Sequence, residues 1–301
     1  MNEEVVNGAA GQAWVKEFLD GFSLEMLPRH MPLLADKIAP RLRKGRRIYI
    51  ALVDPVEIPA QVEMATALRR VGLEPVPHLP ARFMGNIPDL QLHLRRLVEE
   101  AEVVEILALG GGAPQPYGEF HSVMEMLETG FFQEFGIRRL GFAGHVEGNK
   151  DISKEGGEQL FIQILKDKIA FAENAGIETY LVTQFAFDMD AVAKWAQKLQ
   201  AEGITLPIRV GFAGPAKLKT LLHYSLMCGV GPSIRVLRKQ AKAVHRLLKV
   251  STPDEVIDSL GGIAAGKGDI GGIIAPHFFP LGGVEAVLDW LGERLEADTQ
   301  M

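Results

Sequence analysis

The sequence predicts a single-domain (β/α)8 barrel, also called a TIM barrel. Eight short apolar runs recur along the chain with little polar alternation, which is typical of parallel strands buried on both faces. Helical patterns lie between these runs, and such alternation indicates an α/β fold. The length of 301 residues is also that of one barrel domain. We therefore expect the barrel over 21–297, preceded by an N-terminal extension over 1–20.

The predicted strands are mostly bounded by Gly or Pro, which interrupt regular structure. In chain order they cover 22–27, 47–53, 74–79, 103–109, 139–145, 179–185, 207–213 and 272–279. Eight parallel strands are the number that closes this type of barrel.

The predicted helices have apolar stripes or start signals. One stripe, at the spacing of a single helix face, consists of Leu90, Leu94, Leu97, Val98 and Ala101. Pro59 lies in the first turn of a helix over 58–70.

Three further helices follow from local signals. Ser153 marks the start of a helix that ends near Gly176, and Asp188 caps one that runs to about Ala201. A leading helix is expected around 13–18. The stretch 230–269 is long for one connection between strands, so we expect extra helices before strand eight.

Composition narrows the functional class. The formal net charge of −6 argues against a nucleic-acid partner. The single cysteine, Cys228, excludes an internal disulfide framework and fits a reducing compartment. No signal-peptide layout is seen, and no apolar run approaches the roughly 20 residues that span a bilayer. We therefore expect a cytoplasmic protein without a membrane partner.

Polar side chains occur where several predicted strands end. They are Glu25, Asp54, His78, His145, Gln184 and His277. In a barrel the carboxyl ends of the strands share one mouth, so these residues are the candidate site. Glu25 is the most informative, because a carboxylate in an apolar run is costly to desolvate unless it has a partner or a role. A salt bridge with Arg29 is the structural alternative.

The other strand-end residues have competing interpretations. His78 either contacts a ligand or positions backbone. His78, His145 and His277 also suggest a metal-dependent hydrolase, but strand one has no His-x-His pair and strand eight no terminal acid. We therefore predict no metal. Gln184 is suited to a heterocycle edge because its amide both donates and accepts hydrogen bonds, although it could be an ordinary strand-end group.

Two glycine-rich runs suggest phosphate or ligand contacts. Residues 261–268 nearly match a P-loop, but Gly268 stands where the Mg²⁺-binding hydroxyl is needed, so we expect a flexible loop with at most a weak phosphate role. Gly110, Gly111 and Gly112 follow strand four. Without Cβ atoms their backbone can approach a flat ligand or a pyrophosphate closely, and a plain turn is the alternative.

Five segments together resemble the methylenetetrahydrofolate reductase family, over nearly the whole chain. They are Phe-Ser-Leu-Glu-Met-Leu-Pro (22–28), Pro-His-Leu (77–79), Ala-Leu-Gly-Gly-Gly-Ala-Pro (108–114), Val-Thr-Gln-Phe-Ala-Phe-Asp (182–188) and Pro-His-Phe-Phe-Pro-Leu (276–281). The resemblance implies a barrel enzyme of one-carbon metabolism that reduces 5,10-methylenetetrahydrofolate to 5-methyltetrahydrofolate.

The resemblance also implies roles for individual residues. Glu25 matches the catalytic acid, and Gln184 the folate-binding glutamine. Phe187 and Phe278 are expected to stack on the folate. The residues expected to contact the cofactor are His78, Gly110, Gly111, Gly112, His145 and His277.

The chain also departs from the family pattern. Typical members hold a flavin and show Arg-Gly-Asp-Leu-Pro after strand four, where Gly110 and Gly112 replace the Arg and the Asp. A flavin-facing tyrosine appears as Phe120, and a helix lysine aligns near Ala172. A dinucleotide loses charge-assisted hydrogen bonds worth about 1.5–3 kcal/mol each. We therefore expect no tightly bound FAD, and direct hydride transfer from NADH or NADPH.

The runner-up function is a folate-binding protein or folate-dependent methyltransferase on the same barrel, which would bind no nicotinamide. The expected partners are small molecules. The sequence leaves open the choice between NADH and NADPH, weak flavin binding, the pathway, and whether the chain forms a homo-oligomer.

Overall fold

The chain forms an α/β TIM barrel of eight parallel strands, as the sequence predicts. The computed structural model describes residues 3–148, 157–227, 249–267 and 270–297. The barrel strands are β1 Ser23–Met26, β2 Arg47–Ile50, β3 Glu74–Pro80, β4 Glu105–Leu109, β5 Arg139–Gly144, β6 Glu178–Phe185, β7 Ile208–Ala213 and β10 Ile273–Phe279. They close in the order β1-β10-β7-β6-β5-β4-β3-β2. Each overlaps one of the eight predicted runs, so the fold class is confirmed.

Helices precede, connect and follow the strands. The α-helices are α1 Glu3–Asp20, α2 Met31–Leu33, α3 Ile58–Arg70, α4 Ile87–Ala101, α5 Val123–Leu127, α6 Phe131–Glu134, α7 Gly157–Asn174, α8 Met189–Ala201, α9 Leu218–Met227, α10 Asp254–Lys267 and α11 Val284–Ala297. Short 3-10 turns cover Pro28–His30, Ala39–Arg41, Pro55–Glu57 and Ala81–Phe83, and a π-turn covers Leu34–Ile38.

Within the barrel domain, backbone contacts group the chain into two compact units. The central unit comprises Ser23–Ala143 and Gln163–Leu181. The terminal unit comprises Met1–Phe22, Gly144–Ile162 and Val182–Met301. The predicted division into residues 1–20 and 21–297 stays a prediction.

In the central unit, the predicted helical stripe lies against the core. Leu90, Leu94, Leu97 and Ala101 of α4 are fully buried. The helix begins with a capping box, in which the Asn86 side chain accepts from the backbone N–H of Asp89 at 2.9 Å. This reciprocal pairing satisfies two N–H groups that have no partner within the helix.

One buried polar network of the central unit is centred on Glu105 at the start of β4. Glu105, the first residue of β4, is 1% exposed and accepts from Nε of Arg47 at 2.9 Å, and its Oε2 lies 3.0 Å from Nε of Arg139. The Tyr49 and Tyr180 hydroxyls are 2.9 Å apart, and Tyr180 also hydrogen bonds to Glu105. These side chains satisfy one another in a buried polar network.

In the terminal unit, glycines allow two helices to approach closely. A Cβ at Gly11 of α1 would lie 3.3 Å from the carbonyl oxygen of Gly261 in α10, and one at Gly261 would collide with Val15. The expectation of a loop over 261–268 is therefore wrong through Lys267, because these glycines serve helix packing. Gly268 lies outside the described residues.

The remaining predictions of secondary structure have different outcomes. The Asp188 cap is confirmed, because its Oδ1 accepts from the Ala191 N–H at 3.0 Å. Of the stretch 230–269, where extra helices are expected, the described part contains α10, which precedes the last strand as expected. A two-stranded antiparallel sheet of β8 Ala216–Lys217 and β9 Val250–Ser251 was not predicted. Ser153, Cys228 and much of 230–269 lie outside the described residues. Among the helices described, none is long and apolar enough to cross a bilayer.

Candidate functional site

Glu25 and His78 form a close acid–base pair in the central unit. Glu25 is the third residue of β1, and its Oε2 lies 3.7 Å from Nε2 of His78 on β3. The side chains are 20% and 9% exposed, so the carboxylate keeps some access to solvent. The contact with His78 favours a functional role for Glu25. The alternative was a salt bridge with Arg29, and that residue is exposed.

The environment of Glu25 favours its protonated form. Burial raises the pKa of the Glu25 carboxyl, and the charge of His78 partly opposes that rise. Tyr49 lies opposite Glu25 in the paired register of β2 and packs edge-on to the His78 ring at 6.2 Å. A carboxyl with a raised pKa beside an imidazole is suited to proton transfer.

The glycine run after β4 forms an ordered loop held by Arg82. The Arg82 guanidinium donates to the carbonyl of Ala113 at 3.0 Å, and its backbone N–H donates to the carbonyl of Gly110 at 3.1 Å. Gly111 has φ +90°, a conformation that favours glycine. Around Gly110 and Gly112 a Cβ would meet no atom within 4 Å, so both positions border open space.

In the terminal unit, Gln184 projects from an anchored strand end. Its side chain is exposed near the end of β6. The neighbouring Thr183 hydroxyl accepts from the N–H of Gly211 at 2.8 Å. A Cβ at Gly211 would lie 2.5 Å from the Gln184 carbonyl oxygen, so only glycine allows this approach of the backbones. The strand end is fixed while the amide is left accessible.

Phe187 lines a cavity of about 600 Å³ at the carboxyl ends of β6 and β7. Its ring is half-buried and packs edge-on to Phe185 at 6.0 Å. The remaining wall includes Phe212, Leu218, Leu221, Lys249 and Ser251. The volume lies within the usual range for small-molecule sites.

Phe278 and His277 are enclosed by protein. Phe278 is fully buried among Phe22, Phe212 and Trp290, with ring centroids 5.6–6.3 Å away. Stacking on a folate would require these rings to separate, so this packing counts against the role predicted for Phe278. His277 is also fully buried, and burial together with the nearby charge of Arg209 lowers its pKa to about 3. A neutral imidazole is therefore expected there.

The other two strand-end residues have local contacts. His145 is half-buried and packs edge-on to Phe161 at 5.3 Å. Asp54 caps the turn Pro55–Glu57 by accepting from the Val56 N–H at 3.0 Å. Over the described ranges, no group of three or more His, Cys, Asp or Glu side chains is placed to hold a metal ion. The cofactor contacts predicted for His78, His145, His277 and the glycine run stay predictions.

Three residues around the candidate site were not singled out from the sequence. Arg82 orders the glycine loop, while Gln61 and His93 form a buried hydrogen-bond pair behind β3. Arg82 and Gln61 donate to backbone carbonyls that lie 11 to 39 residues away in the chain. No motif in the sequence signals such contacts.

Comparison with known proteins adds little detail. No family model matches the chain. One similar solved structure is the carboxyl transferase domain from Rhizobium etli pyruvate carboxylase with 3-hydroxypyruvate, at 11% identity and a TM-score of 0.45. The match covers 99% of this chain and 50% of that one, so the chain spans about half the length of that structure.

Proposed function

We propose that this protein reduces 5,10-methylenetetrahydrofolate to 5-methyltetrahydrofolate with NADH or NADPH as the hydride donor. The five segments that resemble methylenetetrahydrofolate reductases suggest the reaction. The observation that carries the proposal is Glu25 on β1, a carboxyl with a raised pKa that lies beside His78 on β3, with β2 between the two strands.

The reaction needs an acid before it needs a reductant. Protonation of N10 opens the five-membered ring of the folate and leaves an iminium at N5. Hydride from the nicotinamide then adds to the iminium carbon, which becomes the methyl group. One proton and one hydride are consumed, and NAD(P)⁺ is released. Glu25 supplies the proton, directly or through a water molecule.

Binding the folate requires a polar edge contact and flat apolar surfaces. In the proposal, the exposed Gln184 amide both donates to and accepts from the pterin edge. Phe187 offers an aromatic surface on the wall of a ligand-sized cavity. These residues contribute orientation, which is a large part of the rate enhancement in two-substrate reactions.

The flavin of typical family members is not part of the proposed reaction. Positions 110 and 112 carry no side chain that could pair with a dinucleotide, although both border open space. The Arg82 guanidinium already hydrogen bonds to Ala113 and His121. The hydride therefore passes directly from nicotinamide to folate, with both substrates bound together.

The test is an initial-rate study of the purified protein with 5,10-methylenetetrahydrofolate and each nicotinamide. We expect nicotinamide oxidation that depends on the folate, intersecting rate lines and no flavin absorbance. Parallel lines with a yellow protein would show ping-pong turnover through a bound flavin. Folate binding without nicotinamide binding would favour the folate-binding or methyltransferase function instead.

A further inference from the structure

A buried amide links the carboxyl ends of β2 and β3. Gln61 of α3 is fully buried, and its Nε2 donates at 2.9 Å to the carbonyls of both Ile50 and His78. The paired register of the two strands runs from Arg47 to Ile50 on β2. The two hydrogens of the amide therefore hold the strands together where their own pairing ends.

His93 holds the other end of the Gln61 amide. His93 of α4 is 3% exposed, and its Nε2 lies 3.0 Å from Oε1 of Gln61. Because the amide nitrogen faces two carbonyls, its oxygen must face His93, and the ring nitrogen must carry the hydrogen. Burial, with a smaller contribution from Arg96, lowers the pKa of His93 to about 4, so the ring stays neutral.

The hydrogen bonds of Gln61 extend to His78, the residue that faces the proposed acid Glu25. Gln61 fixes the backbone of His78, whose ring lies 3.7 Å from Glu25. Displacement of that backbone would move the ring relative to the carboxylate. Contacts between charged groups at this distance shift pKa values strongly.

We propose that His93 and Gln61 are positioning residues, which set the proton affinity of Glu25 by holding His78 against it. Neither residue touches substrate in this proposal. The inference rests on the proposed function for its importance to catalysis, but the positioning itself can be measured without turnover.

The experiment is a carboxyl ¹³C NMR titration of the ligand-free full chain, with Glu25→Gln used to assign the Glu25 signal. His93→Leu removes the hydrogen bond to Gln61. We expect the Glu25 midpoint to rise by about one pH unit, because the carboxylate loses the charge of His78. His93→Gln, which places an amide donor near the position of Nε2, should restore the wild-type midpoint.

The control is Leu97→Ala, which removes a buried apolar side chain of the same helix that cannot hydrogen bond to Gln61. An unchanged midpoint in His93→Leu overturns the proposal, as does an equal shift in Leu97→Ala, which would indicate general loosening of α4. If His93→Leu does not fold, the shorter polar variant His93→Asn takes its place.

The test separates the two hypotheses. If wild-type protein reduces the folate but the titrations do not differ, only the positioning fails. If no reduction occurs but the midpoints shift as expected, only the proposed function fails.

Discussion

Replacing Glu25 with Gln should slow the proposed reaction and at the same time stabilise the fold. The variant keeps the size of the side chain but has no proton to donate. A positioned general acid contributes about 10²–10⁴ in rate, so we expect kcat to fall by at least about a hundredfold. Glu99→Gln, which changes an exposed acid of α4, is the matched control and should leave kcat unchanged.

The effect on stability follows from the raised pKa. The ordinary pKa of a glutamic acid is 4.5. At pH values well below it, the Glu25 carboxyl is protonated in both the folded and the unfolded chain, so its burial does not reduce the free energy of unfolding. As the pH rises through the folded pKa, the unfolded chain ionises more readily, so the wild type loses stability. Each unit by which the Glu25 pKa is raised corresponds to about 1.4 kcal/mol of the free energy of unfolding, and the wild type has lost this amount at pH values above the folded pKa. The Glu25→Gln variant does not lose this stability, because the amide does not ionise.

Urea unfolding measured from pH 4 to pH 8 checks this reasoning. The free energy of unfolding of Glu25→Gln, relative to the wild type, should increase with pH and then level off. A difference that is the same at every pH would refute the raised pKa. A near-normal kcat would remove Glu25 from the mechanism even if the stability curve is as expected.

Three other substitutions test the loop, the helix contact and the buried polar network. Gly110→Arg, placed in open space, should fold normally and strengthen FAD binding about tenfold or more, which absorbance titration would show; unchanged binding would contradict the role of that position. In α10, Gly261→Ala should destabilise by about 1–3 kcal/mol because its Cβ collides with α1, whereas the exposed Gly262→Ala should stabilise by about 0.5–1 kcal/mol; urea unfolding should give opposite signs. Glu105→Gln should cost about 3 kcal/mol in the same assay, because two arginines lose their carboxylate, and a loss below about 1 kcal/mol would show that solvent compensates them.

The strands could be predicted because their signals are local. Apolar runs bounded by Gly or Pro place all eight, and the main discrepancies are at the ends, as in β2, predicted over 47–53 and found over Arg47–Ile50. Start signals worked equally well where one side chain caps one helix. Asp188 does so with a partner three residues away.

Sequence reasoning was less successful for residues whose role depends on contacts with other parts of the chain. Gly261 resembled a loop residue, but it is a glycine because α1 passes close to it, and that contact spans some 250 positions. Gln61 and His93 were missed because the amide serves carbonyls of other strands. The folate contact of Phe278 stays a prediction, but its packing against other aromatic rings could not be foreseen from its place in a motif.

Tyr49, which lies opposite Glu25 in the register of β1 and β2, is not free to return a proton to the proposed acid. The Tyr49 and Tyr180 hydroxyls are hydrogen bonded to each other, and Tyr180 is also hydrogen bonded to Glu105, so these groups are already committed to one another. Burial and these neighbours raise the pKa of the Tyr180 hydroxyl well above its usual range, which makes it a poor proton source. In the proposed reaction, the fifth of the Glu25 side chain that is exposed to solvent is the route by which the acid regains its proton. A bound substrate that covers this opening would allow the acid a single proton per catalytic cycle.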